Sequence, residues 1–413
     1  MLTFFNSMTR KLEEFQPFND KTVKMYTCGP SIYLLPHIGN YRTFLFEDVL
    51  HRYLEYLGYD VKRALNITDV EDKAITEAEK ENITLEELTE RNTKVFLEEL
   101  QKLRAKSPTH LPKSSASVDQ AVSIISTLLR RDYAYWYKGS VYFDPTKFKN
   151  FGRLYRLDMN RWPKEKKRFH KDTYPGNRWN LGDFILWHGY KKEDKQAYWN
   201  TSLGKGRPAW NVQDPAMATQ SLGFRLDVYC GGVDNLIRHH DYSIAIVESV
   251  SGEPFAKLWL HSEHLFVDGK KMSKSRGNII YPKDLVDCGC QWQHVRFFLI
   301  NGYYRKRLNY THGKFKASCD QLQKLKSMVK KLQNAKTTDQ KPNPKTSKLI
   351  ARLKDDFEEN MNNDLHVKKA FDALFNNTSK LLAMAEKGKV NRKDREKAVA
   401  VLEGIDQVLQ VIF

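Results

Sequence analysis

The chain has 413 residues, and its 68 Lys and Arg residues outnumber its 50 Asp and Glu residues, which gives a net charge of +18. A hydrophobic content of 41% is enough to bury real cores and excludes wholesale disorder, while the length allows about two to four domains. No run of about 18 apolar residues occurs, and the apolar stretch at the start is too short for a signal peptide. We therefore expect a soluble cytoplasmic protein without a membrane segment.

The cysteine content and the charge indicate the compartment and the partners. Five cysteines in so long a chain do not make a disulfide framework, and their odd number argues the same way, so a reducing compartment fits. A pI near 9.4 is typical of proteins that bind a polyanion, because neutralising phosphates releases condensed counterions. A basic surface that serves only solubility is the alternative at this point.

The first predicted elements form a β-loop-α-β unit. Residues 22–28 alternate and are rich in strand formers, and the turn-like pair Gly29 and Pro30 follows. Helical spacing of apolar residues runs from Phe46 to Leu57, and a strand resumes over residues 61–65. Such a unit is typical of a parallel nucleotide-binding sheet.

The middle of the chain predicts a sheet that is interrupted and then continued. Residues 84–87 read as a capping box that opens a helix. The helical rhythm is lost between about residues 110 and 200, as expected of an insertion. This stretch holds short strands such as 139–143, a basic run at 161–171, and aromatic-rich loops around Trp179, Trp187 and Trp199. Strands over 224–229 and 264–267 then predict the return of the parallel sheet, so the nucleotide-binding fold is split.

The last part of the chain, after about residue 290, has a helical pattern. Residues 314–354 contain twelve Lys or Arg against two Asp, and a proline-containing linker at 339–344 interrupts them. This pattern predicts a second, all-helical domain with a basic face.

Two short motifs indicate phosphate chemistry. The His37 motif (residues 37–40, His-Ile-Gly-Asn) lies between the first strand and the first helix, where a helix N-terminus with Gly39 admits an anion and His37 and Asn40 can donate to phosphate oxygens. The Lys271 motif (residues 271–275, Lys-Met-Ser-Lys-Ser) places Lys271 and Lys274 in a polar loop, where both can converge on a triphosphate. Alone, the first could be a structural turn and the second a solvated basic loop.

A third set of residues indicates nucleoside binding. Gly231 and Gly232 follow a strand, where glycines let the backbone lie against a nucleoside, and Asp234 is placed to accept from ribose hydroxyls. A glycine turn without a ligand is the alternative. Trp210 precedes another predicted helix and could be a wall of the substrate site or a core residue.

Together these motifs resemble the paired signatures of class I aminoacyl-tRNA synthetases, and over nearly the whole chain the sequence is similar to the cysteinyl-tRNA synthetase family. The matching segments are residues 26–30, the His37 motif, residues 63–69 with Asp72 and Lys73, residues 183–187, residues 206–208 with Trp210, Gly231 and Gly232 with Asp234, and the Lys271 motif.

The resemblance implies an α/β fold in which a Rossmann-like catalytic domain with an inserted connective peptide is followed by an all-α helical bundle. The implied divisions are 1–110 and 201–290 for the two catalytic halves, 111–200 for the insertion, and 291–413 for a stem-contact segment and the bundle.

The resemblance also implies a reaction. ATP, with Mg²⁺, and an amino acid would form an aminoacyl-adenylate, and the amino acid would then pass to tRNA. His37, Asn40, Lys271 and Lys274 would act in catalysis, and Lys274 would also contact ATP together with Gly39, Gly231, Gly232 and Asp234. Trp210 and Thr68 would line the amino-acid pocket. A monomer is favoured.

The metal site implied by the resemblance is altered in this chain. Family members hold zinc with two Cys, one His and one Glu. Cys28 and His239 match two of these ligands, but Asp214 stands for the second Cys and Ser243 for the Glu. Aspartate can ligate zinc in a harder site, whereas serine is a poor ligand. Zinc is therefore implied only through Cys28, His239 and Asp214, and the amino acid could be cysteine or another.

Two alternative functions stay open on the sequence. The chain stops at Phe413, so we expect the anticodon-contacting extension of the family to be missing, as it is in the cysteine ligase of mycothiol biosynthesis. Residues 239–243 and 248–253 also resemble that ligase, which joins cysteine to a small amine without tRNA. The altered zinc ligands raise the other alternative, a non-catalytic RNA-binding relative.

Overall fold

The structure is a computed structural model that describes residues 1–157, 183–194, 197–337 and 343–413. Its centre is a four-stranded sheet that is parallel throughout, with strand order β11-β10-β3-β4. These strands are β3 (Thr22–Thr27), β4 (Asp60–Leu65), β10 (Leu226–Gly232) and β11 (Ala256–Ser262). The sheet therefore consists of two β-α-β halves that are far apart in the chain and pair through β3 and β10, as the split fold predicts.

Two helices make the crossovers of this sheet. Helix α1 (Ile38–Tyr56) joins β3 to β4 and buries Leu45, Val49 and Leu50 in the main core, which explains the apolar spacing seen in the sequence. The predicted helix is right in kind but starts earlier, because His37 caps its N-terminus. Helix α6 (Asp241–Ser251) joins β10 to β11 in the second half.

The prediction that residues 264–267 form a strand of the parallel sheet was wrong. The strand β12 (Leu265–Val267) lies outside the parallel sheet and belongs to a small sheet, where it pairs with β13 (Lys270–Lys271) and β14 (Leu308–Tyr310). The fourth parallel strand is β11, whose residues from Leu258 to Ser262 are buried without alternation. Although β11 stands at the end of the strand order, both of its faces are covered over these residues, and this continuous burial hides its periodicity in the sequence.

The insertion contains a five-stranded antiparallel sheet with strand order β5-β6-β7-β9-β8. Trp187 is buried on β7, and Trp199 lies on β8. The basic run at 161–171, Trp179 and most of the linker at 339–344 lie outside the described residues. The strands of this sheet are β5 (Ala134–Tyr137), β6 (Ser140–Phe143), β7 (Phe184–Gly189), β8 (Trp199–Thr201) and β9 (Gly204–Pro208).

The remaining elements complete the two ends of the chain. The N-terminal hairpin consists of β1 (Thr3–Asn6) and β2 (Lys11–Glu14). The C-terminal bundle consists of α8 (Trp292–Ile300), α9 (His312–Gln333), α10 (Pro344–Asn362), α11 (Val367–Glu386) and α12 (Arg392–Leu409). The other helices are α2 (Asp72–Glu81), α3 (Leu85–Lys102), α4 (Val118–Arg130), α5 (Trp210–Leu222) and α7 (Pro282–Asp287). No helix in the described ranges has the length and apolar character to cross a membrane.

The bundle is joined to the sheet domain by a buried ion pair. Arg296 of α8 is fully buried and donates to Asp48 of α1 at 2.7 Å. The same guanidinium donates to the carbonyls of Leu103, after α3, and Leu409, in α12, at 3.0 and 2.7 Å. Burial raises the pKa of Asp48, but the charges of Arg296, Arg52 and Arg63 and the backbone N–H of Lys106 together lower it more strongly, so the net pKa lies below its ordinary value. One side chain thus connects four helices.

We expect Arg296→Met to lower the free energy of unfolding by about 3–5 kcal/mol, because it leaves Asp48 buried with one strong partner fewer. The folded-state pKa of Asp48 lies below its unfolded value, so the contribution of the pair is present above the unfolded pKa and is lost as pH falls through the folded one. Urea denaturation at several pH values measures both effects. The control is Arg392→Met, which removes an exposed ion pair with Glu396 and should cost under about 0.5 kcal/mol. Equal losses in the two variants would contradict the assignment.

Candidate active site

A cavity of about 820 Å³ opens at the carboxyl edge of the parallel sheet. It lies between the ends of β3 and β10, where the chain passes to opposite sides of the sheet and where open α/β sheets bind their ligands. Most of the residues predicted for the site line it, namely Cys28, His37, Gly39, Asn40, Thr68, Trp210, Asp214, Gly232, Asp234, His239 and Lys271. The structure therefore brings together motifs from both halves of the sheet.

The His37 motif builds the N-terminus of α1. The Nδ1 atom of His37 accepts from the backbone N–H groups of Gly39 and Asn40 at 3.1 and 3.3 Å. The Oδ1 atom of Asn40 accepts in return from the backbone N–H of His37 at 3.0 Å. Burial lowers the pKa of the imidazole, so the ring is neutral and its proton lies on Nε2. The motif thus presents an Nε2–H donor and the Asn40 amide N–H groups at a helix N-terminus.

The two phosphate motifs touch each other. A Cβ at Gly39 would lie 2.7 Å from the terminal methyl of Met272, so glycine leaves room for the Lys271 motif. Lys271 lines the cavity from the end of β13. Lys274 follows on an exposed single turn of helix and is not among the lining residues. The structure therefore brings Lys271 to the His37 motif and leaves Lys274 beside the cavity.

Gly231 and Gly232 are the last two residues of β10, rather than a turn after the strand, and they have different neighbours. Gly232 and Asp234 line the cavity. A Cβ at Gly231 would lie 2.7 Å from Cε1 of His240, so this glycine makes room for an imidazole. The sequence analysis assigned Gly231 to nucleoside binding, but in the structure His240 occupies the space beside it.

The amino-acid end of the cavity contains a chain of polar groups. Asp214 on α5 accepts from the Asn66 amide at 3.2 Å, and the same amide donates to Thr68 at 3.2 Å. Asn66 also accepts from the backbone N–H of Gly29 at 2.8 Å. Burial raises the pKa of Asp214 to about 6. Trp210, at the start of α5, forms the neighbouring wall.

The imidazole beside Cys28 is His240, not the predicted His239. The Cys28 sulfur lies 3.1 Å from Nε2 of His240 and donates to Asp214 at 3.5 Å. The ring of His239 packs edge-on against Trp210. Both histidines lie at the end of a five-residue π-helical turn, Leu236–His240, that precedes α6. Burial raises the pKa of the Cys28 thiol well above its usual range and lowers that of His240 well below.

The residues present do not fit the zinc site that the resemblance implies. No group of three or more His, Cys, Asp or Glu side chains placed to hold a metal ion occurs within residues 1–157, 183–194, 197–337 and 343–413. Ser243 is buried on α6, and its hydroxyl hydrogen-bonds with Tyr229. The prediction of zinc on Cys28, His239 and Asp214 is thus not supported, because His239 points elsewhere and position 243 supplies no metal ligand.

Several lining residues were not found from the sequence. Thr43 of α1 and Ser262, the last residue of β11, share a hydrogen bond of 2.7 Å at the cavity, and His264 comes shortly after β11. Burial lowers the pKa of His264. Ser262 and His264 thus belong to the carboxyl end of the one parallel strand that the sequence analysis missed. Recognising β11 would have assigned these two, because the carboxyl ends of parallel strands share one edge.

We expect His37→Ala to lower the free energy of unfolding by about 1 kcal/mol through loss of the α1 cap, whereas His37→Asn keeps a good capping side chain and should cost only a few tenths. Urea denaturation of both variants provides the measurement. A loss of equal size in the two variants would show that the cap does not stabilise α1.

Comparisons with known proteins agree with this geometry. The family model described as the tRNA synthetases class I (C) catalytic domain matches residues 14–320. A cysteine--tRNA ligase of Chlamydia pneumoniae is 39% identical over 413 residues, with 100% of this chain and 86% of the relative covered. A cysteine--tRNA ligase of Brachyspira hyodysenteriae is 36% identical with the same coverage.

The fold agrees with that of solved class I synthetases. A methionyl-tRNA synthetase of Mycobacterium tuberculosis in complex with methionyl-adenylate has a TM-score of 0.65 at 15% identity, with 95% of this chain and 90% of that chain covered. The LeuRS–tRNA–LeuAMS complex of Agrobacterium radiobacter has a TM-score of 0.66 at 12% identity, with 97% and 85% covered. The chain is therefore a ligase that belongs to the cysteinyl-tRNA synthetase family of class I aminoacyl-tRNA synthetases.

Proposed function

We propose that this chain activates cysteine with ATP and transfers it to tRNA. The observation that carries the proposal is the convergence of His37, Lys271 and Asp234 on one cavity that also contains an amino-acid end with Cys28 and Asp214. The names of the relatives support the same substrate pair. The five unpaired cysteines agree with a cytoplasmic, reducing location.

The first step would form an aminoacyl-adenylate. A carboxylate oxygen of the amino acid attacks the α-phosphorus of ATP, and the bond from that phosphorus to pyrophosphate breaks. The Nε2–H of His37, the amide of Asn40 and the ammonium of Lys271 would stabilise the negative charge that grows on the phosphate oxygens. Magnesium would enter with the phosphates and offset part of their charge. Gly39 would let the phosphates approach the helix N-terminus.

The second step would transfer the amino acid. A hydroxyl of the terminal ribose of tRNA attacks the adenylate carbonyl, and AMP leaves with the bonding electrons. Gly232 and Asp234 would hold the adenosine through both steps. The carboxylate of Asp234 would accept from ribose hydroxyls.

The charge of the bundle supports tRNA as the acceptor. The first turns and the end of α9 carry lysines on a helix of 22 residues, and a small amine has no use for such a surface. The likeness to the mycothiol ligase rested partly on residues 239–243. In the structure, Tyr242 stacks on Phe184 of the insertion with ring centroids 3.9 Å apart. Packing against the insertion therefore explains the tyrosine at this position.

We expect Lys271→Ala to slow adenylate formation by roughly 10²–10³, which is the usual loss for one transition-state contact. The matched control is Lys270→Ala, an exposed lysine one position earlier on the same strand, whose rate should not change. Pre-steady-state pyrophosphate release gives both rates. Lys274→Ala tests whether Lys274 reaches the phosphates when ATP is bound. Equal rates for the Lys271 variant and its control would remove Lys271 from the mechanism.

We expect ATP–pyrophosphate exchange to depend on cysteine when all twenty amino acids are tested, and cysteine to be attached to total tRNA. Exchange with another amino acid would show that this amino acid is the substrate, and the proposed ATP chemistry would stand. Cysteine exchange without charging of tRNA would favour a small amine as the acceptor. The absence of exchange with every amino acid would favour a non-catalytic relative that binds RNA.

A further inference from the structure

We propose that this chain binds the side chain of its amino acid without a metal ion, through a hydrogen-bonded cluster of Cys28, Asp214 and His240. The proposal rests on the proposed function, because it concerns how the cysteine of that reaction is recognised. It is carried by the contacts of this cluster, which occupy the Cys28 thiol and the Asp214 carboxylate, two of the groups that the implied zinc site would use.

Both ring nitrogens of His240 are engaged within the protein. Nε2 lies 3.1 Å from the Cys28 sulfur, and Nδ1 lies 2.7 Å from Nε2 of His261. Nδ1 of His261 lies in turn 2.8 Å from the Ser7 hydroxyl. Each of these three contacts needs one proton. The Cys28 thiol donates to Asp214, so the two neutral rings and the Ser7 hydroxyl supply the three protons. A metal bound by Cys28 and His240 would have to break the first contact.

The position that would supply a fourth ligand is packed instead. Tyr229 on β10 fills the space between the sheet and α6, where its ring stacks on Trp259 with centroids 4.5 Å apart. Its hydroxyl bonds Ser243 and lies 3.9 Å from the Cys28 sulfur. The core behind Cys28 is therefore filled at this point by the buried Tyr229, whose hydroxyl offers a neutral hydrogen bond and no carboxylate.

The cluster is built into the fold by several independent elements. Ser7 follows β1, Cys28 follows β3, Asp214 lies on α5 and His261 lies on β11. The missing Cβ of Gly231 gives the His240 ring its place. Cys28 and Asp214 also line the cavity, so a ligand can reach the outer face of the cluster.

These groups suit a small side chain with one donor. A substrate thiol can donate to the Asp214 carboxylate and lie against the polarizable sulfur of Cys28. A serine hydroxyl can make the same hydrogen bond, because no metal–thiolate bond distinguishes the two. Selection would then depend on shape and polarity, and we expect a preference for cysteine over serine on the order of 10², the level that pockets without a dedicated polar contact reach.

The first test measures metal content and cysteine-dependent pyrophosphate exchange on the same preparation of the full chain, before and after dialysis against a strong zinc chelator. We expect well under one zinc per chain and an unchanged kcat/KM for cysteine. One zinc per chain, or exchange that is lost with the chelator and restored by zinc, would overturn this inference and leave the proposed function standing. The absence of cysteine exchange with and without added zinc would instead overturn the proposed function, and this inference with it.

The second test compares two buried cysteines. Cys28→Ala should raise the KM for cysteine about tenfold, because it removes the hydrogen bond that orients Asp214 and the sulfur against which the substrate lies, with kcat nearly unchanged. The control Cys230→Ala removes a thiol from the adjacent strand, where it packs in the main core, and should leave the KM unchanged. A Cys28→Ala protein that folds but activates no cysteine would contradict recognition without a metal.

A gain-of-function variant gives an independent readout. Asp214→Cys combined with Ser243→Glu supplies the two missing ligand types, and we expect the double variant to bind about one zinc per chain where the parent binds none. Direct zinc titration measures this without any assay of activity. Equal, stoichiometric zinc binding by the parent chain would overturn the inference.

Discussion

The parallel pairing of β3 with β10 is the constraint on which the site depends. Tyr26 lies opposite Tyr229 and Thr27 opposite Cys230, so two segments about half the chain apart share one sheet edge. The backbone N–H of Cys28 continues this pairing by donating to the Cys230 carbonyl at 3.2 Å. The chain passes from β3 to β4 on one side of this seam and from β10 to β11 on the other. The loops after β3 and β10 therefore separate and leave the cavity between them.

Helix α1 connects this cavity to the rest of the molecule. Its N-terminus is fixed by the reciprocal cap of His37 and Asn40, and its middle is held by the ion pair between Asp48 and Arg296. Arg42 adds a further contact, because its Nε donates to the Glu263 carbonyl at 3.1 Å. A helix held at these points presents its N-terminus to the cavity in one orientation, which electrostatic stabilisation of a transition state requires.

The two ends of the cavity compare differently with the pattern that the resemblance implies. The phosphate end contains the His37 and Lys271 motifs and brings them into contact through Gly39 and Met272. The amino-acid end has Asp214 and Ser243 where the resemblance implies two metal ligands, and Asp214 hydrogen-bonds with Asn66 there. Phosphate binding depends on a helix terminus and a lysine, and it is the same whichever amino acid is activated. The amino-acid end of the cavity contacts only the side chain that is selected.

The sequence by itself determined the family and the fold class, and it predicted eleven of the residues that line the cavity. Local signals sufficed there, because the capping box at Thr84 and the apolar spacing of α1 are properties of a single helix, and the His37 and Lys271 motifs are short and contiguous. The limits of the four chain divisions, which no contact in the structure fixes, remain predictions.

The tertiary structure alone decided three points. It assigned the fourth parallel strand to β11, since a strand buried on both faces shows no alternation. It left Lys274 beside the cavity, because the turn after β13 directs it into solvent. It also placed His240 rather than His239 at Cys28, where the space beside Gly231 holds the His240 ring. Identical neighbours in sequence cannot be told apart by composition or spacing, and the space left by Gly231 selects between them in the folded chain.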